Sequence, residues 1–273
     1  MQQPITQAKP AGRRVLRRPA GRLRFPLGAV IPLAILGLWL LALQLQWLKP
    51  YQLPSPLQVG TTLAYLAQSG ELWGHLQATL GRLFTGFLLG AIPAVVLGLL
   101  SGLLPKVREA LDPTLQALRA IPSLAWVPLF LLWFGIGETA RVLLIALGVF
   151  LPVYLNTLSG VEGVDRKWLE VGQIYGLSRG KILRQIVLPG ALPGVLLGLR
   201  SGLGLGWMFV VAAELIAANS GLGFLLQDGS NTSRPDKVLA SLLLFAVLGR
   251  LTDWLLRLLE QRLLSWRDTV GNQ

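Results

Sequence analysis

Apolar residues in this chain do not alternate with polar ones at the spacing of a soluble helix or strand; they continue for about twenty positions at a time. Charge-free runs cover residues 25–48, 83–105, 120–137 and 142–161. Each is long enough, as a helix, to cross a hydrocarbon layer of roughly 30 Å. Two more runs, 192–213 and 238–254, reach that length by tolerating Arg200 in one, and Arg250 with Asp253 in the other. The pattern predicts an all-α membrane protein of about six transmembrane helices. Its expected divisions are a basic tail at 1–24, a single membrane domain at 25–268 and a short C-terminal tail at 269–273.

Composition agrees, since 53% of the residues are hydrophobic and only 14% are charged, with a mean hydropathy of +0.58. A net charge of +12 raises the question of nucleic acid, and Arg13, Arg14, Arg17, Arg18, Arg22 and Arg24 in the N-terminal tail would be its footprint. Placement argues otherwise. With both termini cytoplasmic, nineteen Lys and Arg fall on the inner side and five outside, among them Arg82 and Arg141. The positive-inside rule accounts for that excess and for the membrane as the partner, with no nucleic acid. The first apolar run exceeds a signal-peptide core and lacks a small-x-small cleavage site, so it reads as retained. There is no cysteine and a single histidine, His75, which reads as an interfacial polar residue rather than a ligand.

Two spans carry a second spacing. Gly86, Gly90, Ala94, Gly98 and Gly102 recur every fourth residue, as do Gly190, Gly194, Gly198, Gly202 and Gly206. Such ridges let helix backbones approach closely, which is a principal source of association in lipid. They suit packing within one subunit or between two copies. Arg200 is an intramembrane charge that either meets an anion on a pathway or ties helices together. Arg250 and Asp253, three apart, are expected to neutralise each other. Glu214, followed by Asn219 and Ser220 in a loop of turn formers, is a gate candidate; with Arg200 these form the expected substrate pathway. Catalytic motifs are missing: the nearest phosphate-loop match, around Gly180 and Lys181, has Ile182 where Ser or Thr is required. No metal cluster or cofactor site is expected, and any ATP and magnesium would be bound by another chain.

Between the fourth and fifth spans, residues 162–189 break the apolar rule with "EVGQIYGLSRGKILRQIVLPG". Trp168, Val171, Ile174 and Tyr175 keep helical spacing, and so do Ile182, Leu183, Ile186 and Val187. The reading is two short amphipathic helices, with Gly176 turning the chain between them, Ser178 capping the second and Pro189 opening the next span. Glu170, Gly176, Ile186, Leu188 and Pro189 match E-A-A-x3-G-x9-I-x-L-P, with Val171 and Gly172 in place of the two alanines. This resembles the loop of the inner-membrane permeases of binding-protein-dependent ABC importers. The blocks "LRAIPSLAWVPLFLLWFGIGE" and "AANSGLGFL" are similar to the nitrate, sulfonate and taurine group, above all to aliphatic sulfonate permeases.

The resemblance implies a permease in a bacterial inner membrane, working as two copies with two cytoplasmic ATPase subunits and an external solute-binding protein. It further implies that Glu170, Val171, Gly172, Tyr175, Gly176, Leu177, Ser178, Ile186, Leu188 and Pro189 form the docking loop for the ATPase. The substrate would be a small anion, an aliphatic sulfonate first, with taurine or nitrate as alternatives. An ion-coupled secondary transporter is the competing class, although midplane carboxylates and inverted repeats are absent from the sequence.

Overall fold

A computed structural model describes residues 27–47, 49 and 52–266, so the expected tails at 1–24 and 269–273 lie outside the described residues. The chain divides into two compact units, Met1–Leu48 and Lys49–Gln273. The first contains helix α1, Leu27–Gln44, an apolar helix with Pro32 inside it.

Every regular element among the described residues of the second unit is helical. It opens with α2, Pro56–Gln68, whose start is closed by a reciprocal pair: Gln58 N–H donates to Ser55 Oγ at 3.2 Å, and Ser55 N–H to Gln58 Oε1 at 2.8 Å. Then come α3, Glu71–Leu103, α4, Pro105–Ala120, and α5, Trp126–Phe134. They are followed by α6, Glu138–Glu162, α7, Arg166–Ile174, and α8, Arg179–Ile182, which continues through a π-helical segment, Leu183–Val187, into α9, Leu188–Ala217. The last two are α10, Leu222–Asn231, and α11, Pro235–Leu263. Among the described residues, four helical stretches are long and apolar enough to cross a membrane: Glu71–Leu103, Glu138–Glu162, Arg179–Ile216 and Pro235–Leu263.

The helices depart from the expected runs most clearly in two places. The second span begins at Glu71 rather than 83, so Arg82 belongs to the helix and not to a preceding connector. The 120–137 run is not one helix. Pro122 disfavours helical geometry at Ile121, which takes φ −78°, ψ 125°, and α4 ends there. The nine residues of α5 that follow span only about 13 Å before Gly135 turns the chain at φ +74°.

α6 is the centre of the unit, and both glycine ridges press against it. From α3, a Cβ added at Gly86 would come within 2.7 Å of Ile145, and one at Gly98 within 2.8 Å of Thr157. From α9, a Cβ at Gly194 would come within 2.5 Å of Gly160 Cα, and one at Gly202 within 2.7 Å of Val153. Gly90 is equally tight against the carbonyl of Ala146, and Gly198 against Asn156 and Val153. The ridges are therefore consumed inside one chain, where they bring three backbones close enough for dispersion contacts to accumulate. Leu83, Ile145, Val149, Val153, Tyr154 and Phe209 fill the core between them, each fully buried.

Candidate functional site

Three groups of residues stand out, at the two ends of α6 and along α9. At the C-terminal end of α6, α7 closes through two backbone bonds: Leu177 N–H donates to Gly172 O at 3.0 Å, and Gly176 N–H to Gln173 O at 2.9 Å. That pairing requires a left-handed residue at position 176, and Gly176 supplies it at φ +69°. Ser178 stands at the start of α8 without a side-chain cap bond, unlike the expectation from its position. The second arm is also not a separate helix. Pro189 has no N–H and its ring crowds the carbonyl four residues back, and the five-residue π segment takes up the mismatch, with Leu188 N–H bonding to Leu183 O. The second arm is thus continuous with α9.

Gly172 faces the second arm, where an added Cβ would meet Ile186 Cδ1 at 2.8 Å and Ile182 Cγ1 at 3.3 Å. Beneath, Val161, Val187 and Ala191 form a small core with Leu169 and Ile182 packed on it. Outward, the apolar face of α7 is bare: Trp168 is 63% exposed, Ile174 82% and Tyr175 80%. Glu170 and Val171 are exposed beside them, and Leu188 is partly so, at the root of the loop.

At the other end of α6, some 36 Å away along its axis, sits a polar knot that the sequence did not announce. Arg82 of α3 is buried and donates to Glu138 of α6 through Nε and Nη2, both at 2.7 Å. Its Nη1 donates to Glu214 Oε1 of α9 and to the carbonyl of Ser220, both at 2.6 Å, and Nη2 reaches Ser220 Oγ at 3.0 Å. Arg141 adds a second cation on Glu138 Oε1 at 2.7 Å. Glu214, fully buried, also accepts from Thr79 Oγ1 at 2.9 Å and from Gly223 N–H at 2.8 Å.

Two expectations change at this knot. His75 is buried rather than interfacial, and its Nδ1 accepts from Gly221 N–H at 3.0 Å. Arg82 is no surface cation but the donor that joins three helices. Of the pathway candidates, Glu214 and Ser220 belong to the knot, whereas Asn219 is exposed beside it. Arg200 lies elsewhere on α9 and donates through Nε to Asp253 Oδ1 of α11 at 2.5 Å. Asp253 therefore takes Arg200 as its nearest cation, with Arg250 at 3.4 Å and Arg257 at 3.7 Å, in place of the local Arg250 pair expected. The missed signal was modest: an arginine one residue before an apolar run and an acid at the end of another, 132 positions apart.

Residues 94–265 match the family described as "Binding-protein-dependent transport system inner membrane component". A Bacillus subtilis (strain 168) protein named for aliphatic sulfonate transport is 42% identical over 256 residues, covering 93% of each chain. The taurine transport system permease of Escherichia coli (strain K12) is 40% identical over 258 residues, 90% of this chain and 94% of that one. Among solved structures, an amino acid ABC transporter matches with a TM-score of 0.58 at 19% identity, covering 73% of this chain and 97% of that one. That likeness shows the fold alone.

The chain belongs to this family: it is the permease subunit of an ABC importer, a multi-pass inner-membrane protein whose ATP hydrolysis is carried out by a separate subunit. Within the family it falls in the sulfonate, taurine and nitrate group, the last represented by a nitrate import permease of Leptolyngbya laminosa, 31% identical over 193 residues. The ion-coupled alternative falls away with that membership.

Proposed function

We propose that this permease conducts a short aliphatic sulfonate inward, delivered by an external binding protein, and that residues 162–189 are the part driven by the ATPase. The observation that carries the coupling role is the bare apolar face of α7. Trp168, Ile174 and Tyr175 project from a helix closed by Gly176, on a segment continuous with α9 through the π turn. An aromatic and aliphatic knob with Glu170 beside it suits a groove in a partner, because exposed apolar patches of this kind mark interaction sites. Movement of the knob passes to the second arm through the packing of Leu169 and Gly172 on Ile182 and Ile186, along the unbroken helical run into α9, and from α9 to α6 through Gly194 and Gly198.

Two copies of this chain with two ATPase subunits complete the assembly, with both termini on the cytoplasmic side. ATP and magnesium bind in those subunits, and the permease needs no cofactor of its own. Sulfonate is favoured by the relative that is 42% identical along 93% of both chains; a taurine or nitrate substrate is the second reading, from relatives at 40% and 31%. Vesicles containing permease, ATPase and binding protein test it directly. Uptake of ethanesulfonate or butanesulfonate in preference to taurine and nitrate is expected; nitrate alone as substrate would reject the sulfonate reading.

A further inference from the structure

The cleft between α4 and α6 is bordered by an exposed cation, Arg119, that no other described residue engages. Its outer part, about 550 Å³, is lined by Arg108, Asp112, Gln116, Arg119, Ser159 and Glu162 among others. An adjoining inner cavity of about 210 Å³ shares Arg119, Leu151 and Leu155 with it and reaches Trp126, Leu205 and Phe209. Both carboxylates of the outer part are committed to Arg108, which donates to Asp112 at 3.3 Å and pairs with Glu162. Arg119 has no hydrogen bond or ion pair among the described residues. Among the described residues it is also the one charged side chain lining the inner cavity, where the other walls are almost wholly apolar.

A guanidinium at the mouth of an apolar chamber calls for an oxyanion head on an apolar tail. The planar fork of arginine donates two parallel bonds to such a head. At roughly 30 Å³ per water, the inner cavity has room for about seven, which suits a short alkyl chain and not a bulky solute. We propose that Arg119 is the anion-binding residue of a transit site in this cleft, with the alkyl part of the solute held by Leu147, Leu151 and Leu155. This rests on the sulfonate reading for the identity of the solute, but the anion site itself does not. A phospholipid headgroup offers the same chemistry, an oxyanion on an apolar tail; the aqueous solute is the occupant assigned.

Because the chain has no cysteine, Leu155→Cys places a single thiol on the wall common to both cavities. In the assembled transporter, its modification is followed by mass with an anionic reagent, 2-sulfonatoethyl methanethiosulfonate, and with a cationic trimethylammonium analogue. The anionic reagent is expected to react at least about fivefold faster relative to a free thiol, as one nearby positive charge dictates. Added butanesulfonate should slow it. Arg119→Gln in the same background should remove both effects, while Arg119→Lys keeps the preference. An unchanged ratio after Arg119→Gln overturns the site, and protection by short-chain phosphatidylglycerol but not by butanesulfonate assigns it to lipid instead. If vesicles import no sulfonate yet the charge preference is present, the substrate reading fails and the anion site stands.

Discussion

Arg82 and Glu214, 132 positions apart in sequence, face each other at 2.6 Å with side-chain exposures of 5% and 0%. Their contact joins α3 to α9, and Glu138 extends it to α6. Removing one partner of a buried pair leaves the other charge uncompensated, at a cost of about 3–5 kcal/mol, whereas an exposed pair is worth about 1 kcal/mol or less. Glu138 is 60% exposed. Arg82→Met is therefore expected to lower the Tm of the purified permease far more than Glu138→Gln. Equal shifts for the two variants would show that burial does not set the strength of the knot.

Gly221 folds the backbone over that carboxylate at φ +111°, and a Cβ there would lie 2.6 Å from Glu214 Oε2. Gly221→Ala combines this overlap with backbone strain of order 1–3 kcal/mol. Severe loss of folded protein is expected, while Gly204→Ala, with no atom within 4 Å of an added Cβ, should leave yield and Tm unchanged or slightly raised. Comparable behaviour of the two variants in a detergent melting series would contradict the placement of Gly221.

Gly172 stands where the family pattern has alanine, and its near neighbour is the flexible end of Ile186. Gly194, by contrast, meets the backbone of Gly160, which cannot swing aside. Gly172→Ala is expected to keep transport within about twofold and to gain up to about 1 kcal/mol of helix stability. Gly194→Ala should separate α9 from α6 and reduce both folding and uptake. The two are compared by uptake per folded transporter, with membrane yield measured alongside.

Arg200 and Asp253 are close enough to be coupled. Arg200→Ala and Asp253→Ala should therefore be non-additive in a double-mutant cycle, by about 0.5–3 kcal/mol. Additive effects on Tm would return Arg200 to the substrate pathway in place of a helix tie.

The parts legible beforehand were those written in local spacing. Glycines every fourth residue announced the α3 and α9 ridges, and the run from Glu170 to Pro189 announced a turn at Gly176. What these patterns could not carry was partner choice: both ridges meet α6, a helix with no such signal of its own. The 120–137 run misled because hydrophobicity cannot register the backbone effect of Pro122 on Ile121. Arg82 misled because an arginine at the edge of an apolar run reads as a flank until the acids from α6 and α9 arrive around it. Arg119, one turn before that same proline, counts in the sequence as one more inner-side cation, because charge placement alone does not show the apolar cavity beside it.

Coupling through the loop is the centre of the account, and Gly176→Pro addresses it most directly. Proline cannot reach φ +69° and has no N–H for Gln173 O, so the turn between α7 and α8 is lost while the membrane helices remain. The measurement is ATP-dependent uptake of a radiolabelled alkanesulfonate into vesicles holding permease, ATPase and binding protein, with the amount of inserted permease determined in the same preparation. Normal insertion with uptake reduced to the level without ATP is the predicted result. Uptake by Gly176→Pro at the wild-type rate, or wild-type uptake that persists without the ATPase subunit, would contradict it.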